Sequence, residues 1–347
     1  VNPFHFRSTR FTARPARTWA ASVAAASLLT LAFVGMPAGA HDASGHAPTS
    51  TSALHQQQSA FYRFQVGDVQ VLALSDGTVP QDLHALLKSA SPTEIDAILN
   101  RAFMVNPIEA SINAFLLITG KRVALVDTGA GAFFGPGAGG KLVESLRSVG
   151  YRPDQIDDIL LTHVHTDHSG GLVDAQGHMV FTKATIHVGQ PDVDFFLNPA
   201  NQNGVAGYDE AYFQQATTSL RPYVSVGKVK GFQAAGEILP GIRAVPTPGH
   251  TPGHAFYVLE SKGETLEFIG DILHVQSVQM ARPEITIVYD VAQPEARSQR
   301  ETQFLRLAQS RHRVAGAHLP FPGLGHIRQE SAGFSFVPTD YRNRVAQ

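Results

Sequence analysis

The sequence predicts an α/β protein in which two mixed β-sheets pack face to face and carry helices on their outer surfaces. Three observations predict it. Two hairpin patterns come first, strand patterns then alternate with helical ones, and 347 residues at 43% hydrophobic and 16% charged content can fill one large layered core.

The elements follow in order. Apolar alternation over residues 61–66 and 69–74, broken by Gly67-Asp68, makes a first hairpin. Residues 82–103 have helical spacing with Ser91-Pro92 as punctuation, and segments 112–118 and 122–126 flank Thr119-Gly120-Lys121 as a second hairpin. A helix over 141–149 leads into a buried strand over 156–162. Further strands are expected at 184–188, 243–246, 255–259 and 265–269. A last helix, 294–310, turns Ala296, Phe304, Leu307 and Ala308 inward before a short strand at 313–317. Nothing in the pattern marks a second domain, a repeat or a long linker.

The N-terminus has the layout of an export signal. Arg7, Arg10, Arg14 and Arg17 precede an apolar run from Trp19 to Met36 that ends in Ala38-Gly39-Ala40, so cleavage is expected after Ala40 and a periplasmic or secreted location follows. The run also approaches the roughly 17-residue lower limit for spanning a bilayer, which leaves an uncleaved anchor as the alternative. No adjacent arginine pair supports twin-arginine export. Residues 41–60 read as a mobile leader, and 61–347 as the folded domain.

Composition narrows the chemistry. A net charge of −2 with scattered Lys and Arg offers no basic surface for a phosphate backbone, so nucleic acid is not an expected partner. The absence of cysteine excludes disulfides, thiolate nucleophiles and thiolate ligands, so any metal must be held by nitrogen and oxygen. Gly135-Pro136-Gly137-Ala138-Gly139-Gly140-Lys141 imitates a phosphate loop, but Leu142 stands where Ser or Thr would hold Mg²⁺. It reads as a flexible loop bordering a pocket.

The strongest signal is His163-Val164-His165-Thr166-Asp167-His168, directly after the apolar segment 159–162. Imidazoles two residues apart on extended backbone project to one side, and a turn then aims Asp167 and His168 into a neighbouring volume. One segment can thereby start two adjacent metal sites. Imidazole and carboxylate suit zinc or a similar divalent ion. Four polar residues on a solvated loop, the bland alternative, would not call for further ligand-type residues just past later strands. His250 in a Pro-Gly turn, Asp271 after Gly270 and His318 after a strand supply them.

These residues, with Asp127 in Leu125-Val126-Asp127-Thr128-Gly129, make the sequence resemble the metallo-β-lactamase superfamily in all five of its motifs. More narrowly it is similar to the methyl parathion hydrolase branch, through Ala317-His318-Leu319-Pro320-Phe321-Pro322-Gly323 and Gly325-His326-Ile327-Arg328. The resemblance implies the four-layer αββα metallo-β-lactamase fold and two divalent metal ions, zinc foremost. His163, His165 and His250 would hold one ion, and Asp167, His168 and His318 the other. Asp271 would bridge them, and Asp127 would orient ligands by hydrogen bonds. It also implies catalysis by water made acidic between the ions, with Asp167 and Asp271 as the catalytic carboxylates and Asp167 as proton acceptor. Relatives of this kind also raise the expectation of a homodimer.

The substrate implied is a small-molecule ester: an organophosphate triester, an aryl ester or a lactone. Phe134, Phe196 and Phe213 are either an aromatic wall or plain core. Where the branch is expected to place tryptophan and two aliphatic residues, this chain has Phe196, His274 and Tyr289, a more polar set that favours lactones or aryl esters. A β-lactamase or glyoxalase II-like thioesterase would share the metals and differ in the pocket, and a silent metal-binding module would have lost ligands. Among the remaining histidines, His254 is expected to pack or hydrogen-bond and His178, His187 and His312 to lie outside the site, while support of the His318 loop is the lesser of two readings for His326.

Overall fold

The computed structural model describes residues 60–120, 122–205 and 208–343. The export signal expected over 1–40 and nearly all of the 41–60 leader lie outside the described residues.

Strand β1 (Phe61–Val66) folds back on β2 (Val69–Gln81) with Val66 opposite Val69, as Gly67-Asp68 predicts. Strand β2 continues past the alternating pattern to Gln81 because β3 (Ile108–Thr119) pairs along its whole length, through a register shift at Ser75/Gly77. The sheet then adds β4 (Arg122–Val126), β5 (Asp158–Leu160), β6 (Thr185–Gly189) and β7 (Val229–Phe232), the last three parallel to β4. The second sheet holds β8 (Gly236–Leu239), β9 (Ile242–Pro246), β10 (Ala255–Ser261), β11 (Glu264–Phe268), β12 (Arg313–Ala315), β13 (Leu324–Gln329) and β14 (Phe334–Pro338). Within each seven-stranded sheet, neighbours in space are neighbours in this numbering.

Side-chain alternation separates the layers. From β2, Val71 and Ala73 face the second sheet while Leu72 and Leu74 face outward; from β3, Phe115 and Leu117 face inward while Ala114 and Leu116 face outward. The inner layer joins these residues to Tyr257, Leu259, Leu266 and Phe268, with the Phe115 and Phe268 rings 5.3 Å apart. Helices Leu142–Ser148, Gln190–Phe196 and Glu210–Ser225 cover the outer face of the first sheet, and Gln293–Ser310 covers the second through Phe304 and Leu307. This is the four-layer arrangement. No helix among the described residues is long and apolar enough to cross a membrane.

Helix Glu210–Ser225 has no counterpart in the sequence reading, because Pro222 and a run of Gln and Thr obscure its period. Asp209 caps its first turn through Ala211, and Phe213, Ala216, Leu220 and Tyr223 form its buried stripe. Strands β7, β8, β13 and β14 were also illegible, since they are half-exposed or rich in glycine and charge.

The glycine-rich loop is a wrapper for a buried carboxylate. Asp76 accepts hydrogen bonds from the backbone N–H groups of Ala130, Gly140 and Leu142 at 2.8–2.9 Å. Burial nonetheless pushes its carboxyl up to about 6. A separate cleft of about 470 Å³, lined in part by Asp76, Gly140, Leu142 and Arg147, adjoins this loop and contains none of the seven metal-ligand candidates.

Glu267 on β11 is a second buried acid, gripped by Arg306 at 2.9 and 2.6 Å and by His312 at 2.7 Å. Burial opposes its charge, but hydrogen bonds from Arg306 and His312 outweigh burial and hold it below the usual glutamate value. The native state therefore releases this proton more readily than the unfolded chain does. Its stabilisation is complete above the unfolded value and is lost as pH falls through the depressed one. Between about pH 6 and about pH 3, the urea midpoint of Glu267→Gln is expected to fall less steeply than that of the wild type. Parallel curves would refute this.

Candidate metal centre

The strands of both sheets deliver the polar residues to one edge. The 163–168 segment follows β5, His250 follows β9, Asp271 follows β11 and His318 follows β12. His165 retains extended backbone (φ −85°, ψ 163°), and the one-turn helix Thr166–Ser169 then swings Asp167 and His168 to the other side. Gly249 and Gly270 shape the approach to two of the others. Each has positive φ, and a Cβ would sit 2.5 Å from the Ala296 nitrogen at the first and 2.6 Å from His254 Nε2 at the second.

His163, His165, His250 and Asp271 form one buried group and Asp167, His168 and His318 another. In the first, His165 Nδ1 lies 3.0 Å from His163 Nε2 and 2.8 Å from His250 Nε2, while Asp271 Oδ2 is 3.7 Å from His163 Nε2 and 3.4 Å from His250 Nε2. In the second, Asp167 lies 3.8 Å from His168 Nε2 and 3.3 Å from His318 Nε2. Asp271 joins the groups, with Oδ1 3.1 Å from His168 Nε2 and Oδ2 3.3 Å from His318 Nε2.

The partners of the outward ring nitrogens decide whether these residues fit a cation. His163 Nδ1 faces Thr162 Oγ1 at 3.1 Å, and that hydroxyl donates onward to Asp127. The Nδ1 atoms of His168, His250 and His318 face Asp127 at 2.9 Å, Asp290 at 2.8 Å and the Ser111 carbonyl at 2.8 Å. With ring protons placed on these outward nitrogens, the inward nitrogens present lone pairs to one another and to a carboxylate. His168 Nε2 and Asp271 Oδ1 are buried without a hydrogen-bond partner. Such an arrangement is repulsive unless positive charge sits inside it, and its donor set of imidazole and carboxylate suits a divalent ion.

The charge states follow the same geometry. Burial, reinforced by adjacent imidazoles, holds His163 and His165 well below the ordinary histidine value. Burial also opposes protonation of His168 and His250, yet neighbouring carboxylates outweigh it: Asp271 and Asp127 carry His168 well above its usual value, and Asp271 with Asp290 lifts His250 to about 9. Asp271 is held far below the carboxylate range because the surrounding imidazoles, His168 and His318 foremost, overcome its burial.

Three supporting residues were missed by the sequence reading. Asp192 is fully buried and accepts from Val164 N at 2.9 Å, Thr251 Oγ1 at 2.8 Å and Gly253 N at 2.5 Å, tying the 163–168 segment to the His250 turn. Asp290 orients His250 and lies 3.5 Å from the buried Arg300 guanidinium, which also donates to the carbonyls of Ile272, Pro283 and Ile285. Tyr208 contacts His165 Nε2. The available signal was the need of each ligand imidazole for an outward partner.

The other histidines separate clearly. His254 Nε2 accepts the Asp271 backbone N–H at 3.0 Å, and burial holds it down at about 3, so it fixes the carboxylate's backbone as a neutral ring. His178, His187 and His312 pair with Asp174, Asp158 and Glu267 away from the centre. His326 bonds the Arg311 carbonyl at 3.1 Å. His274 is inside the centre: its Nε2 lies 3.0 Å from Asp271 Oδ2 without hydrogen-bond alignment, Nδ1 also lacks a partner, and the ring stacks on His318.

The candidate wall residues also divide. Phe196 sets its edge against His165 at 5.7 Å and Phe213 packs on Phe196, but both are fully buried members of the core beneath the site and form no surface of it. Phe134 is half-buried on the glycine-rich loop, outside this cluster. Half-buried Tyr212 and Tyr289 occupy the rim, with Tyr212 5.8 Å from His165 and Tyr289 6.0 Å from His274. A residue one position from Phe213 thus has the surface role, because the helix turns Tyr212 toward the centre and Phe213 toward the sheet.

Comparison with known proteins agrees with this arrangement. Residues 108–318 match the family model described as the metallo-beta-lactamase superfamily. The N-acyl homoserine lactonase of Bacillus thuringiensis is 28% identical over 122 residues, which cover 35% of this chain and only 40% of that protein. Among solved structures, the hydrolase AbOPH of the beta lactamase superfamily is 34% identical with a TM-score of 0.76, and the match covers 83% of this chain and all of that one. AidC, a dizinc quorum-quenching lactonase solved with an N-acyl-homoserine product, is 27% identical with the same TM-score and coverage. By its two sheets, its His/Asp cluster and this match over more than half its length, the chain belongs to the metallo-β-lactamase superfamily.

Proposed function

We propose that the protein is a dinuclear metal-dependent hydrolase of carboxylic esters, lactones foremost. In this reading His163, His165 and His250 hold one divalent ion, Asp167, His168 and His318 hold the second, and Asp271 bridges them; zinc fits the nitrogen and oxygen donors. The observation that carries it is the ring of inward-facing nitrogens and Asp271 oxygens, whose buried atoms lack any other partner. The likeness to a dizinc lactonase supports both the metal and the substrate class.

When bound, such ions would lower the pKa of water to roughly 7 and polarise the oxygen of the bond under attack. The chain supplies the rest. Asp127, Asp290, Thr162 and the Ser111 carbonyl hold the ligand rings, so no reorganisation is needed during reaction. Asp167, with 18% of its side chain exposed where the other two members of its group are nearly sealed, is the carboxylate placed to accept the attacking water's proton. His274 has free ring nitrogens beside Asp271 and meets the carbonyl oxygen as it gains charge, while Tyr212 and Tyr289 receive the apolar part of the substrate.

The test is kcat/KM of the zinc-loaded protein on an N-acyl homoserine lactone, an aryl ester and an aryl phosphotriester. The carboxylic substrates are expected to lead by about 10-fold or more. A leading phosphotriester rate overturns the substrate class, as does preference for nitrocefin or a glutathione thioester. Export belongs to the same reading: protein recovered from a periplasmic or culture fraction should begin at His41, and a chain retaining residues 1–40 would contradict it.

A further inference from the structure

The outward nitrogens of the five candidate ligand imidazoles do not rest on equivalent partners. His168 and His250 face carboxylates, His163 faces a hydroxyl that is itself bonded to a carboxylate, and His318 faces a backbone carbonyl. His165 alone faces a phenol. Its Nε2 contacts the hydroxyl of Tyr208, whose own proton points to the Tyr289 carbonyl at 3.5 Å. Tyr208 is buried, its ring lies 27° from the plane of His165, and it stacks on Tyr212 at a centroid distance of 4.5 Å.

We propose that Tyr208 is a positioning residue for the metal centre: its hydroxyl accepts Nε2–H of His165 and so fixes the tautomer that turns Nδ1 toward His163 and His250. The inference rests on the dinuclear reading above. His165 is the one clustered imidazole that presents Nδ1 inward, and a ring free to flip would offer Nε2 instead and move the donor atom out of the group. The same tyrosine joins the centre to the rim, since it also stacks on Tyr212 and reaches the backbone of Tyr289. Partners of this kind orient a ligand ring and set its basicity, so loss of the hydroxyl should be felt at the ion that His165 holds.

The experiment compares wild type with Tyr208→Phe, which keeps the ring and removes the hydroxyl. In zinc-loaded wild type, long-range ¹H–¹⁵N spectra should show His165 bound through Nδ1, with a slowly exchanging Nε2–H. In Tyr208→Phe that proton should exchange on the order of 10-fold faster. Chelator competition should show one of the two ions bound about 10- to 100-fold more weakly and the other unchanged. In the substrate assay, kcat should fall while KM holds. A wild-type spectrum with His165 bound through Nε2 overturns the proposal whether or not the variant folds, as does a folded variant with unchanged exchange and unchanged affinity for both ions. Wild type that binds no metal at all would instead sink the dinuclear reading, so the two failures are distinguishable.

Discussion

Asp271→Asn is expected to lower kcat/KM on the order of 10³-fold or more and to reduce the metal content of the purified protein to one ion or none per chain. The carboxylate stands within 3.0–3.7 Å of ring nitrogens from His163, His168, His250, His274 and His318, and so reaches imidazoles of both groups. Asparagine keeps the shape and keeps the backbone N–H bonded to His254. It removes the charge that offsets two ions, and it aims either an amide oxygen or an amide N–H at imidazole lone pairs. Metal analysis beside steady-state kinetics checks this. A variant that retains two ions and turns over within a few-fold of wild type would show that Asp271 does not bridge.

Removal of metal by a chelator is expected to lower Tm on the order of 10 °C and to abolish hydrolysis, both reversed by added zinc. An ion at about 1,000 times its Kd contributes about 4 kcal/mol to the folded state, and in a chain of this size each kcal/mol moves Tm by a few degrees. The effect has a pH signature with a definite sign. Without metal, the carboxylates around His250 hold it protonated up to about 9, and His168 is likewise held well above its ordinary value. An ion must displace those protons, so its affinity should strengthen as pH rises toward about 9 and weaken below. Titration in buffers of different ionisation enthalpy would detect the released protons. Unchanged Tm on chelation, with full activity retained, would remove the basis for metal-dependent catalysis.

The sequence by itself determined the layered architecture and the seven residues that the structure brings together. Both are local signals. Alternation writes the inner and outer faces of β2 and β3 directly, and ligand-type residues announce themselves by standing just beyond apolar strand segments, as His163 and Asp271 do. Only the tertiary structure decided what holds those residues in place. Asp192 acts across 28, 59 and 61 residues of chain, Asp290 reaches His250 across 40, and Tyr208 reaches His165 across 43. An aspartate or tyrosine at such a distance looks like any other until folding places its donor or acceptor. The rim was decided in the same way. Phe213 and Tyr212 are adjacent in sequence, and only the docking of helix Glu210–Ser225 on the first sheet selects which ring is sealed in the core and which stands beside the centre. A side chain's identity is local, but its partner is a property of packing, and packing is set by contacts between segments that the linear order keeps apart.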